Sequence, residues 1–141
     1  MAAAALWEIW CASGAPEIDQ LLRRGTETME RGDLLAAEAL FTDVIRRAPD
    51  FAEGWNKRAT VRYLGGNHAA AIADCEETLA RKPPHFGALS DQGLCHMALG
   101  QYPEAADLFR RTLAVYPHLE VARRNLGAAL GEAVKGNGHS H

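Results

Sequence analysis

The chain has 141 residues, enough for a single domain with a modest core. Its 48% hydrophobic and 23% charged residues are ordinary for a soluble globular protein, and a net charge of −3 does not suggest a phosphate-backbone partner, so nucleic acid is not expected. No apolar run approaches the roughly 20 residues a membrane span needs, and three cysteines without a Cys-x-x-Cys pair indicate neither a disulfide framework nor a zinc site.

Residues 1–17 read as an N-terminal aromatic helix and linker. In "LWEIWCASGAPEID", Leu6, Trp7 and Trp10 fall on or near one helical face, and "SGAP" separates them from the rest of the chain. The opening lacks a basic region and Glu8 interrupts it, which argues against a signal peptide. A cytoplasmic location is expected, with the periplasm or an organelle as the alternative if a targeting segment has been removed. Two tryptophans exposed together are costly. The arm is therefore expected to pack on the body, on its first hairpin in preference to its groove. Homo-oligomerisation through the arm, or an outside partner for it, are the alternatives. Membrane anchoring is not expected, because no Lys or Arg lies nearby.

From residue 18 the chain repeats with a period of 34, in rows 18–51, 52–85 and 86–119. Gly32, Gly66 and Gly100 form one column, Ala37, Ala71 and Ala105 another, and Pro49, Pro83 and Pro117 a third. Within each row apolar residues recur at helical spacing in two blocks, such as Trp55, Ala59, Tyr63 and then Ala71, Cys75, Leu79. The glycine falls where a helix C-cap is wanted, and the proline where the second helix must stop. Each row is helix, turn, helix, stop. Small residues at Gly25, Ala59 and Gly93, facing the alanine column, predict a close crossing of the two helices. Trp55, Phe41 and Phe109 are expected to fill space between neighbouring hairpins. Residues 120–134 supply one capping helix, and residues 135–141, "KGNGHSH", are expected to be a flexible tail.

This pattern resembles the tetratricopeptide repeat, through its period, Trp55, the small residues Gly25 and Gly93, the alanine and proline columns and "NLG" at Asn125–Gly127. The resemblance implies an all-α, right-handed superhelical solenoid of antiparallel hairpins, with a concave groove lined by the first helix of each pair. The implied lining is Leu22, Thr26 and Met29 from the first row, and Asn56, Thr60, Tyr63 and Leu64 from the second. Ser90, Leu94 and Met97 from the third and Arg124 from the cap complete it. Arg24, Arg58 and Gln92 depart from the family, which usually has Leu there. Family members that hold chaperone tails clamp the terminal carboxylate with Lys and Asn, Asn, then Lys and Arg. The corresponding positions hold Leu22 and Thr26, Lys57, then Gly87 and Asp91, which argues against chaperone carboxylate-tail binding.

Catalysis needs a nucleophile, a base and an orienting group at one place. Cys95 and His96 are adjacent, and adjacent residues on a helix do not face each other. Cys75 and Cys95 read as core. His139 and His141 end the tail, and "LGGNH" lacks the lysine and strand of a phosphate loop. No enzyme activity, cofactor or metal is expected. The sequence predicts a non-catalytic module that binds a protein partner, a peptide or helix, in an apolar groove. The alternative is a subunit packed permanently in a larger complex or homo-oligomer.

Overall fold

The computed structural model describes residues 15–139, with side chains through residue 135. The first row gives α1 (Pro16–Glu30) and α2 (Leu34–Arg47), and the second α3 (Ala52–Leu64) and α4 (His68–Arg81). The third gives α5 (Phe86–Ala98) and α6 (Tyr102–Val115), and α7 (Glu120–His139) closes the stack.

Glycine and proline act as the spacing predicts. Gly32, Gly66 and Gly100 take φ of +87°, +83° and +74°, a left-handed conformation that a Cβ disfavours. Each lets the chain fold back on the helix it leaves: the Gly32 amide donates to the Met29 carbonyl at 2.9 Å and the Asp33 amide to that of Thr28 at 3.2 Å. Asp33 then caps α2, its Oδ1 accepting from the Ala36 amide at 3.3 Å. At the far end of each hairpin Ala48, Lys82 and Tyr116 leave the helix with φ of −139°, −136° and −137°. Each precedes a proline, whose ring disfavours the helical conformation in its predecessor.

Packing inside the hairpins follows a different pairing from the one expected. The close neighbour of Gly25 is Phe41 of the same hairpin: a Cβ on Gly25 would lie 2.5 Å from its ring, and one on Gly93 would lie 2.6 Å from Phe109. Phe41 and Phe109 thus lie across their own glycines, fully buried, instead of filling space between hairpins. In the middle hairpin the pair becomes Ala59 and Cys75, both fully buried. A larger residue on one helix is matched by a smaller one on the other, which conserves volume. Trp55 also departs from expectation. It sits partly exposed beside the Arg58 and Arg81 guanidinium groups, 5.3 Å and 4.6 Å from its ring, and its indole N–H donates to the Pro49 carbonyl at 2.9 Å. The indole N–H needs an acceptor, and the proline turn provides it at the surface.

Each hairpin packs on the next through its second helix and the following first helix. The first helices α1, α3, α5 and α7 also touch in succession. Drawing the first helices together on one side curves the stack, and that side is the concave one. α7 extends to His139, through five residues expected in a flexible tail. Ala133, Val134 and Lys135 carry the helix on, and Lys135 pairs with Glu132 at 3.2 Å one turn back.

Candidate partner-binding groove

The concave face has two halves. At the end where α1, α3 and α5 begin, it is a polar cluster. Glu53 and His85 have no exposed surface, and His85 Nε2 lies 3.1 Å from Glu53 Oε2. His85 Nδ1 accepts from the Ala88 amide at 3.1 Å, so the imidazole caps α5, and its Nε2 carries the proton that Glu53 accepts. Asn56 donates to the other Glu53 oxygen at 2.9 Å, while its own Oδ1 is buried without a partner. Next to it the Thr60 hydroxyl donates to Asp91 Oδ2 at 3.1 Å, joining α3 to α5. Burial pushes the Asp91 carboxyl up to about 6, against the opposing pull of the Thr60 hydrogen bond, His85 and Lys57.

Toward the other end the face turns apolar. Tyr63 is partly buried, its ring 5.5 Å from that of His68, and Leu64 is 53% exposed. Leu94 and Met97 are partly buried against Ala105, Ala106 and Phe109. Met29 packs similarly on the first hairpin's core. Ser90 is half-buried and Arg124 exposed.

Two of the expected lining residues are buried. Leu22 is 5% exposed and packs with Ile18 and Phe41, because α2 lies directly over it. Asn56 is 1% exposed and serves the Glu53 network. Thr26 turns its hydroxyl to its own helix, onto the Leu22 carbonyl at 2.9 Å. Sequence reasoning missed the role of His85 and Asp91. Glu53 and His85 stand 32 residues apart at the two ends of one row, and nothing in the repeat pattern marks them as partners. Leu6, Trp7, Trp10 and Cys11 lie outside the described residues.

A second cluster ties the first two hairpins on the side away from the groove. Arg58 grips Asp74 with two hydrogen bonds of 2.9 Å, and Arg62 reaches Asp74 at 3.0 Å and Glu38 at 3.1 Å. The arginine standing where the family usually has Leu therefore finds its carboxylate sixteen residues on.

Cys95 is fully buried, and burial, then the nearby Asp91 carboxylate, holds its thiol up at about 12. Burial drives the Cys75 thiol up still more strongly. His96 is taken by Gln101, 2.6 Å away. No group of three or more His, Cys, Asp or Glu able to hold a metal occurs among the described residues.

Residues 22–86 and again 86–119 match the tetratricopeptide repeat family. The chain belongs to that family. This tetratricopeptide-repeat (TPR) protein is 31% identical over 128 residues to a TPR repeat-containing protein of Rhizobium etli, the match covering 91% of this chain and 62% of that one. It is 29% identical over 113 residues to an FK506-binding protein-like protein of Mus musculus, of which the match covers only 33%. The chain thus spans less than two thirds of either relative. Among solved structures, the Sgt2 TPR domain from Aspergillus fumigatus superposes with a TM-score of 0.84 at 22% identity, covering 90% of this chain and 85% of that one. The first TPR of Spaghetti (RPAP3), bound to the HSP90 peptide SRMEEVD, superposes at 0.81 with 21% identity, covering 83% and 93%. These likenesses show an all-α TPR fold, the scaffold of a protein–protein interaction domain. Among the described residues no helix is long and apolar enough to cross a membrane.

Proposed function

We propose that the TPR protein binds a peptide or an amphipathic helix of a partner protein along its first-helix face. The observation that supports this is the composition of that face: an apolar stretch of Tyr63, Leu64, Leu94 and Met97 runs into the buried polar residues Glu53, Asn56 and His85, with Asp91 beside them. An apolar helix face gains by covering such a stretch, and each large side chain buried contributes about 1.5–3 kcal/mol before ordering costs. Methionine adapts its shape to the partner. The chemistry proposed for this face is recognition of a partner's side chains.

The same geometry bears on which peptide fits. The RPAP3 neighbour holds SRMEEVD, an acidic tail ending in a carboxylate. In this chain the positions of the carboxylate clamp give one cation, Lys57, and one carboxylate, Asp91, while Leu22 is closed into the core. A carboxylate beside the ligand repels an acidic tail. The preferred partner is therefore apolar and neutral or basic.

Calorimetric titration tests both statements. An amphipathic helical peptide with an apolar face is expected to bind the full chain, and Met97→Glu to weaken it at least tenfold. Leu35→Glu, on a second helix and away from the groove, is expected to leave affinity unchanged. SRMEEVD is expected to bind at least a hundredfold more weakly than a clamp-bearing TPR domain binds it. Tight SRMEEVD binding would refute the specificity reading, and insensitivity to Met97→Glu would refute the groove.

A further inference from the structure

We infer that the partner of this groove presents a basic side chain, arginine before lysine, to the Asp91 carboxylate, and that Asp91 gives up its proton to solvent as this cation arrives. The partner's apolar side chains follow one and two helical turns along, over Leu94 and Met97. This rests on the groove being the binding surface, and it adds the residue type and spacing the partner must carry.

The geometry at Asp91 is the first support. Asp91 lies where α5 faces α3, and one of its two oxygens is engaged: Oδ2 accepts from the Thr60 hydroxyl at 3.1 Å. Among the described residues no hydrogen bond or ion pair reaches Oδ1. The side chain is half-buried, so a ligand in the groove can meet it. A carboxylate has about four lone-pair sites, and Thr60 fills one.

The surroundings leave its charge incompletely answered. The titratable groups in electrostatic reach are Glu53 and Lys57 from α3, His85 at the head of α5, Cys75 from α4 and Cys95 one turn on. Glu53 works against the charge, while His85 and Lys57 favour it. The two thiols are held neutral, chiefly by their own burial. Burial outweighs the favourable groups, and the carboxyl is pushed up to about 6. A cation brought to Oδ1 supplies what is missing, whereas an acidic or apolar side chain there leaves a desolvated carboxylate unpaired. Arginine suits the place better than lysine. Its guanidinium is the less strongly hydrated, and its fork can hold Oδ1 while Thr60 keeps Oδ2.

Spacing follows from α5. Leu94 stands three residues after Asp91 and Met97 six, about 4.5 Å and 9 Å along the helix axis. Both are only partly buried, so each has surface left to cover. A partner helix lying along α5 meets these intervals with residues three or four, and six or seven, positions from its basic residue. The groove therefore selects one basic and two large apolar residues on a single helical face, the basic one at the polar end.

The test uses the full chain and two alanine-based helical peptides with blocked termini. Each carries leucine at the fourth and seventh positions after an arginine in one peptide and a glutamine in the other. At pH 7 the arginine peptide is expected to bind about tenfold more tightly than the glutamine peptide. Between pH 7 and pH 5 it should weaken about tenfold, because below about 6 the Asp91 proton must leave first; the glutamine peptide should not weaken. Calorimetry at pH 6 in two buffers of different ionisation enthalpy should register release of about half a proton per arginine peptide bound. Asp91→Asn, with circular dichroism confirming its fold, should bind both peptides alike at every pH, and Asp91→Glu should restore the preference for arginine. Equal affinity of the two peptides for the unmodified chain, or an arginine preference or pH dependence that Asp91→Asn keeps, would each overturn the inference. Met97→Glu judges the groove separately, since it should weaken both peptides alike. If the glutamine peptide responds to Met97→Glu while arginine brings no gain, the groove stands and this inference falls; if neither peptide responds, both fall together.

Discussion

The middle hairpin and its two neighbours solve one packing problem with different chemistry. In the first and third, a glycine lets a phenylalanine lie flat across the crossing, and the contact is apolar throughout. In the middle one Ala59 and Cys75 take those places, and Asp74 occupies the column that holds Leu40 and Leu108. Asp74, 3% exposed, is answered by Arg58 and Arg62. The polar hairpin is also the one whose residues reach outward, to Glu38 and Thr42 before it and to His85 and Asp91 after it. A leucine packs into an apolar hole in several registers, whereas an arginine fork fits a carboxylate at one. Ion pairs thus fix how the middle hairpin sits against its neighbours, at the cost of burying charge.

Removing Asp74 should break this arrangement most severely. Asp74→Ala leaves two guanidinium groups facing each other without their shared carboxylate, and urea unfolding should show a loss of about 3 kcal/mol. Arg58→Leu with Asp74→Leu puts at 74 the leucine of the Leu40 and Leu108 column and at 58 the family's usual leucine, and should recover most of that loss, because an apolar replacement of a buried pair is often neutral. If the double variant is as unstable as Asp74→Ala, the pair carries more than the fit of its hairpin.

The apolar hairpins should break through volume. Gly25→Ala puts a methyl group 2.5 Å from the Phe41 ring, and overpacking of this kind costs about 1–3 kcal/mol. Phe41→Leu adds room, so the pair Gly25→Ala with Phe41→Leu should lose less than the two single changes sum to, mimicking Ala59 with Cys75. Additive losses in thermal unfolding would show that the two positions do not trade volume.

What was legible in the sequence divides along the same line. Glycine and proline act on their own backbone, so Gly32 and Pro49 announce turn and stop from one row alone, and repetition sets the phase of the helices. The Gly25–Phe41 contact is half legible: the small column is visible, but spacing points to Ala37 as its neighbour, because spacing gives a face and not the length or tilt of a ring. The polar cluster is hidden. Glu53, His85 and Asp91 meet only when the second and third rows stack, and a residue that departs from a repeat carries no sign of which other departure answers it. Trp55 matches its family place and still lies half outside, because two arginines hold its ring and Pro49 takes its N–H.

The seam between the middle and third hairpins gives the mildest test, and one that pH can tune. Asp91 accepts from Thr60 across it, and its carboxyl titrates near 6 instead of the ordinary 3.8. Between those values the folded chain holds this proton more tightly than the unfolded chain does. Stability contributed at Asp91 is therefore complete below about pH 4 and declines as pH rises to about 6, the reverse of a salt-bridged carboxylate. Glu53 raises the cost of the charge, and His85 and Lys57 lower it. Asp91→Asn keeps an acceptor for Thr60 and abolishes the charge. It should raise stability at pH 7 by on the order of 1–2 kcal/mol and change little at pH 4. Urea midpoints from pH 4 to pH 7 for both chains decide it: the two curves should converge at the acid end and part above pH 5. Parallel curves would mean that Asp91 is as well solvated in the folded chain as in the unfolded one, and that the groove is wet where the buried Glu53–His85 pair marks it as dry.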